Sequence, residues 1–276
     1  MTEIDARAAR RRFDRAAAGY LGAARLELEV GERMLERLDY VRLAPACILD
    51  AGCGPAPQAE ALARRYPGAR LLALDFSQPM LARARGARGW LARLRGRGPL
   101  AVCAALERLP LAAGSIEFAW SNMALHWAAD LQAALAELAR VLAPGGLLMF
   151  STLGPDTLKE LRAAAGEARV HSFADMHDLG DALVAAGFAA PVMDMEMLTL
   201  AYRGPLGLVT DLRASGQTLA RGDRARGFAP RALRAALAAA GASASIEVIY
   251  GHAWKGVPRK LADGRSIVHF ERRPLP

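Results

Sequence analysis

Asp50 and Asp75 each close a short apolar run, Ile48-Leu49-Asp50 and Arg70-Leu71-Leu72-Ala73-Leu74-Asp75. Two glycines, Gly52 and Gly54, follow the first acid at alternate positions. Acids at the carboxyl ends of neighbouring parallel strands face one crevice, where they can accept hydrogen bonds from ribose hydroxyls. Glycines just beyond such a strand open backbone conformations closed to other residues and let a ligand approach the main chain. The Ala-rich run 58–66 then reads as a helix, whose free N-terminal N–H groups suit a carboxylate or phosphate. The dinucleotide pattern G-x-G-x-x-G is not met, because Pro57 stands where its third glycine belongs. A tight strand-to-helix turn without a ligand is the simpler reading of this loop alone. The second acid-terminated strand favours a binding crevice.

The elements that must position these residues alternate between strand and helix. Residues 3–39 show helical spacing broken near Gly19 and Gly22, with Phe13, Tyr20, Leu26, Val30, Met34 and Leu35 as the buried stripe. Strands are expected at 46–51, 70–75, 100–103, 116–121 and 147–152, with helices between them. Ser77 caps a helix starting near Pro79. The segment that follows, with Arg83, Arg85, Arg88, Arg93, Arg95 and Arg97 among glycines, reads as a solvated connection. A helix over 130–142 precedes Pro144-Gly145-Gly146, and Ser172-x-x-Asp175 reads as the start of a helix ending at Gly187. A strand near 192–202, helical pieces at 205–219 and 230–240, and a final strand at 245–254 complete the order.

Composition narrows the function classes. At 276 residues and 53% hydrophobic, the chain can bury one large core with a cap. All but three of its 36 basic residues are arginine, and the net charge is +8. That charge suits a solvated surface or an acidic partner met by electrostatic steering. Basic and aromatic residues do not interleave, and no nucleic-acid motif is present, so nucleic acid is not an expected partner. Cys47, Cys53 and Cys103 lie in or beside expected strands without metal-ligand spacing, and three buried thiols fit a reducing compartment. His171, Asp175, His177 and Asp178 cluster in sequence, but capping and packing explain them better than a metal does. The first twenty residues lack the apolar centre of a secretory signal, and no run reaches the roughly 18 apolar residues of a membrane span. The expectation is a soluble, cytoplasmic protein that binds no metal and no membrane.

Four ordered stretches carry a resemblance. Leu-Asp-Ala-Gly-Cys-Gly at 49–54, Leu-Asp-Phe-Ser at 74–77, Leu-Pro-Leu-Ala-Ala-Gly-Ser-Ile-Glu-Phe at 109–118 and Arg-Val-Leu-Ala-Pro-Gly-Gly-Leu-Leu at 140–148 are similar to the motifs of the Rossmann-like, class I S-adenosylmethionine-dependent methyltransferases. The resemblance implies an α/β fold: a mostly parallel seven-stranded sheet with an antiparallel last strand, N-terminal helices and a helical lid. It implies S-adenosyl-L-methionine as cofactor, held by Asp50, Gly52, Gly54, Asp75, Phe76, Ala105, Leu106 and Asn122. It also implies an aromatic from the N-terminal helices closing the site, here Tyr20, and site residues after the fourth strand, Asn122 and His126. Ordinary packing roles for Tyr20 and His126 stay open. One departure stands out. Family members carry an acid after the third strand for the adenine amine, where this chain has Ala104-Ala105-Leu106. Losing one such hydrogen bond costs about 0.5–1.5 kcal/mol, and Glu107 is the acid near enough to substitute.

Beyond the fifth strand the likeness narrows and covers nearly the whole chain. Phe150-Ser-Thr-Leu-Gly-Pro-Asp-Thr-Leu-Lys-Glu-Leu161, Val170-His-Ser-Phe-Ala-Asp-Met-His-Asp-Leu-Gly-Asp181, Pro191-Val-Met-Asp-Met-Glu196 and Glu247-Val-Ile-Tyr-Gly-His-Ala-Trp-Lys255 resemble the malonyl-acyl-carrier-protein O-methyltransferases of biotin biosynthesis. That resemblance implies an acyl-carrier protein bearing a malonyl thioester as partner, whose free carboxylate accepts the methyl. A carboxylate is ionised at pH 7, so no general base is required, and a positive side chain should orient it. Arg213 is the expected orienting charge, against a plain ion pair with Asp211. The resemblance divides the chain into an N-terminal cap at 1–45, a core at 46–202, a lid at 203–229 and a completing segment at 230–276. Two alternatives are a methyltransferase of a small-metabolite carboxylate or hydroxyl, and a degenerate cofactor-binding protein without activity. Oligomeric state is not legible in the sequence.

Overall fold

The computed structural model describes residues 4–86, 98–204, 206–220, 235, 238–239, 241 and 243–256. Seven strands form one sheet: β1 (Cys47–Ala51), β2 (Arg70–Asp75), β3 (Leu100–Cys103), β4 (Ile116–Ser121), β5 (Leu142–Leu153), β6 (Phe188–Ala201) and β7 (Ser243–Lys255). Their spatial order is β3-β2-β1-β4-β5-β7-β6, with β7 antiparallel to both its neighbours and the other six strands running one way. The sequence order reverses between β1 and β4. A crevice therefore opens at the carboxyl ends of those strands, where open α/β sheets bind ligands.

Strand β1 is buried along its whole length because helices cover both faces. Ile48 faces one core with Phe118, Trp120, Leu147 and Met149, into which α3 (Arg25–Arg37) packs Val30 and Met34. Leu49 faces the other core with Ala119, Leu148 and Phe150, closed by Leu135 and Leu138 of α6 (Leu131–Val141) and Leu183 of α8 (Met176–Ala185). This two-residue alternation divides one apolar run between two layers. Strands β2, β3 and β4 keep the expected bounds, whereas β5 starts at Leu142, where α6 ends.

The N-terminal segment folds as α1 (Ala6–Ala16), α2 (Tyr20–Ala23) and α3, with breaks close to the two glycines expected to interrupt it. Asp5 caps α1 by accepting from the Ala8 N–H at 2.9 Å. Helix α3 approaches the sheet closely at Gly31, where a Cβ would lie 2.2 Å from Gln58 Nε2 and 2.9 Å from Asn122 Nδ2. Helices α4 (Ala59–Arg65) and α5 (Gln78–Gly86) follow β1 and β2, and α7 (Lys159–Ala165) follows β5. The Ser77 hydroxyl accepts from the Met80 N–H, as a cap should.

Several expectations need correction. Asp175, not Ser172, caps α8: its side chain accepts from the Asp178 N–H at 2.8 Å. Cys47 and Cys53 are buried but Cys103 is exposed, because β3 lies at the sheet edge. Of the arginine-rich connection, only Arg83 and Arg85 fall within the described residues. The expected lid is described through Ala220 and the helix at 230–240 only at three positions. Within it, α9 (Gly207–Ala214) precedes a segment held to α1, since Arg12 Nη1 donates to the Thr218 carbonyl at 2.6 Å. No helix among the described residues is long and apolar enough to cross a membrane.

Candidate active site

The turn after β1 is held open by backbone geometry. Gly52 and Gly54 adopt φ of +77° and +55°, and a Cβ on Gly52 would meet the Ala124 Cβ at 2.2 Å. The Gly52 and Cys53 N–H groups donate to the Leu74 carbonyl at 2.8 and 2.9 Å, clamping the loop to β2. Asp75 completes the clamp: Oδ2 accepts from the Gly54 N–H at 2.8 Å and Oδ1 from the Ser77 N–H at 2.7 Å. Above the loop lies Tyr20, whose ring is 3.9 Å from where a Gly54 Cβ would stand.

These residues line a cleft at the sheet's switch point, where open α/β sheets bind ligands. Asp50, Gly52, Gly54, Asp75, Phe76 and Tyr20 line it, as do Ala105, Leu106 and Asn122. Glu107 lies on the same wall, and its Oε1 accepts from the Ala129 N–H at 2.6 Å. An acid therefore stands near the empty Ala104-Ala105 position, one oxygen already engaged. Asn122 is a structural bridge as well as a wall: Nδ2 donates to the Glu27 carbonyl at 2.8 Å, and Oδ1 accepts from the Ser151 hydroxyl at 2.8 Å.

A second cavity adjoins the first, and Glu27 and Trp127 line both. Its apolar wall includes Leu153, Leu158, Phe173 and Leu208, and Arg25 and Arg169 supply positive charge. His126 belongs to this second cavity and does not line the first. Burial drives its pKa down to about 3, with His171 adding to the effect, so the imidazole is neutral. His126 Nδ1 lies 3.4 Å from the Thr152 hydroxyl, and Nε2 has no hydrogen-bond partner among the described residues. Arg213 is exposed on α9 and lines neither cavity; Asp211 and Leu212 of the same helix face the second one instead. His171 Nε2 accepts from the Ala220 N–H at 3.0 Å, a packing role rather than a ligand's.

Three carboxyls are buried around the cavities. Asp50 is 2% exposed, its Oδ2 has no partner among the described residues, and burial, reinforced by Asp75, pushes its pKa up to about 8. Burial likewise raises Glu27 to about 7, with Asp211 adding, and Asp75 to about 6, where two N–H donors pull back. Unfolded, these acids titrate near 4, so the folded chain holds more protons up to pH 8 and its stability falls as pH rises through that range. His126 acts oppositely only below about 6.5, where the unfolded imidazole charges and the buried one does not. The melting temperature of the unliganded chain should therefore rise as pH is lowered from 8.5 to 6.5 and go on rising below that, with His126 offsetting part of the gain. Thermal scans across that range would contradict this with a flat or opposite slope.

A family model described as a methyltransferase domain matches residues 49–150, from β1 into β5. A malonyl-[acyl-carrier protein] O-methyltransferase of Methylovorus sp. is 50% identical, with 98% of this chain and 96% of that protein covered. A protein of the same name from Gallionella capsiferriformans is 47% identical over 96% of each. The chain belongs to the malonyl-[acyl-carrier protein] O-methyltransferase family. Solved structures agree on the fold: the YcgJ protein of Bacillus subtilis superposes with a TM-score of 0.58 at 16% identity, covering 82% of this chain and 99% of that one. A SAM-dependent methyltransferase of Thermotoga maritima gives a TM-score of 0.54 at 17% identity, covering 90% and 99%.

As a member of this O-methyltransferase family, the chain has site features that motif reading missed. Glu27 carries an available signal: it lies three, four and seven residues before Val30, Gly31 and Met34, so an acid falls on the buried stripe of α3. Trp127 follows the more conspicuous His126 but is the one that reaches both cavities. Arg169 had no signal, because only the fold carries the segment after α7 to the cavity.

Proposed function

We propose that this chain transfers the methyl group of S-adenosylmethionine to the free carboxylate of a malonyl thioester carried on acyl-carrier protein. The observation that carries the reading is the pair of adjoining cavities with a shared wall at Glu27 and Trp127. One suits a nucleoside and the other an elongated, partly apolar acceptor. The first fits the cofactor on its own terms: a glycine turn that a Cβ would fill, a buried Asp50 oxygen with no partner among the described residues, and an apolar shelf at Phe76 and Leu106. Asp75 would take the ribose, Asp50 and the loop the amino-acid end, and Ala105 and Leu106 the adenine. Bound there, S-adenosylmethionine supplies a methyl activated as a sulfonium, so the acceptor oxygen gains the methyl while the sulfur keeps the electron pair of the broken bond.

The chain's own residues then have four tasks. Arg25 and Arg169 offer the acceptor carboxylate a positive wall, the role first expected of Arg213. They need only orient it, since a tighter grip would favour the ground state over the transition state. No proton moves, which suits a His126 held neutral beside Thr152. Phe13, Tyr20 and Trp127 pack as an aromatic cover that excludes water. An acidic carrier gives the net charge of +8 a purpose.

The test is methyl-ester formation followed by mass spectrometry, with malonyl-acyl-carrier protein, malonyl-coenzyme A and free malonate as acceptors. Carrier-bound malonyl should be preferred at least tenfold in kcat/KM. Equal use of free malonate would favour a small-metabolite enzyme, and cofactor binding without transfer to any carboxylate would favour a degenerate protein. Arg169→Ala should raise the acceptor KM about tenfold while cofactor affinity, read by calorimetry, stays within twofold.

A further inference from the structure

Glu27 is the acid that motif reading passes over, and its position is unusual. Its side chain is 7% exposed, on the first turn of α3, and lines both cavities. The Gln217 side-chain amide donates to Oε1, and the Asn122 amide holds the Glu27 carbonyl at 2.8 Å. Gln217 thus holds the carboxylate and Asn122 the backbone that carries it, from distant parts of the chain. No salt bridge among the described residues involves it. A buried carboxylate held without a cation is costly to ionise, and a cationic ligand relieves that cost.

A methyl passing between the two cavities has to cross their shared wall, and the atom that gives it up has to stand there. We propose that Glu27 selects the charge on that atom, favouring the cationic sulfonium donor over the neutral thioether left after transfer. This rests on the reading of the first cavity as the S-adenosylmethionine site. Trp127, the other residue common to both walls, adds an aromatic face that also favours a cation. The same carboxylate repels the acceptor's negative charge until the donor is in place, so a filled first cavity prepares the second.

The test is calorimetric titration of the full chain with S-adenosylmethionine, S-adenosylhomocysteine and sinefungin, whose amine places a positive charge near the sulfonium position. Wild type should bind the two cationic ligands more tightly than the neutral one. Glu27→Gln, nearly isosteric and still able to accept from Gln217, should weaken both cations about tenfold and leave S-adenosylhomocysteine within twofold. Glu27→Asp keeps the charge and should retain most of the preference. Equal changes for all three ligands in E27Q, or a preference that E27D loses as fully as E27Q, would overturn the assignment. If wild type bound none of the three, the reading of the first cavity would fail instead, so the two failures are separable. Melting temperatures of both variants at pH 8 report folding, and E27Q should match or exceed wild type, because it removes a buried acid whose pKa is raised.

Discussion

Gly52→Ala should destabilise the protein by about 3 kcal/mol and abolish measurable cofactor binding. Two independent penalties combine at this position. An L-residue held at φ +77° pays about 1–2 kcal/mol in backbone strain. The new methyl would also stand 2.2 Å from the Ala124 Cβ, so either the glycine turn or the segment after β4 must shift. Both border the first cavity, and overpacking of this kind typically costs about 1–3 kcal/mol. Gly54→Ala is the control. It has a positive φ as well, but its Cβ would find Tyr20 at an ordinary 3.9 Å, so it should lose only the strain contribution, about 1 kcal/mol. Denaturant unfolding of both variants separates the penalties. Equal losses would mean that the contact with Ala124 relaxes freely.

Asp75→Ala should weaken S-adenosylmethionine binding at least tenfold and destabilise the unliganded chain by about 2 kcal/mol at pH 6. The carboxylate holds the Gly54 and Ser77 N–H groups, and its loss leaves two donors to find other acceptors. An unsatisfied buried donor costs about 1–3 kcal/mol, and the smaller sum reflects what wild type already spends on burying Asp75. That expenditure builds from about pH 4, where the unfolded carboxyl ionises, to just above 6, where the folded one does, so the stability difference between variant and wild type should be wider at pH 5 than at pH 7 and constant beyond. The binding loss should not narrow, since the ribose contact depends on the oxygens themselves. Calorimetry and chemical denaturation at the two pH values check both statements, and unaltered affinity in the variant would remove Asp75 from the cofactor site.

Much of this site was legible because its residues depend on local backbone chemistry. A parallel strand buried on both faces reads as an unbroken apolar run, and an acid followed by spaced glycines marks its end; Asp50, Gly52, Gly54 and Asp75 all line the first cavity. The acceptor side was less legible because its residues come from helices and connections far apart in the chain. His126 was singled out for its place after the fourth strand, and it borders only the second cavity, buried and neutral, while its neighbour Trp127 reaches both. Arg213 was chosen for its place in the expected lid, but Asp211 and Leu212 border the second cavity and Arg213 does not. Ser172 lost the helix cap to Asp175 because both fit the same short pattern, and only the path of the backbone decides between them. Glu27 sits among acids at 29, 32 and 36 on one helix, so composition hides it and periodicity alone reveals it.

Strand β7 lies between β5 and β6 although it follows both in the chain. On the ribosome, β5 emerges with its outer edge unpaired, and β6 follows with no neighbour to join. Neither gains a hydrogen-bonded partner until residues 243–255 arrive and insert between them. At about 5–20 residues per second, the stretch from β5 to β7 takes roughly several seconds to synthesise, and an open apolar strand edge persists for that time. The pairing is also long-range, which slows the final closure of the sheet. Nascent copies of this enzyme are therefore exposed to mispairing until residues 243–255 have emerged, and the arrival of β7 sets the moment at which the second cavity, walled in part by Ile246, can first exist.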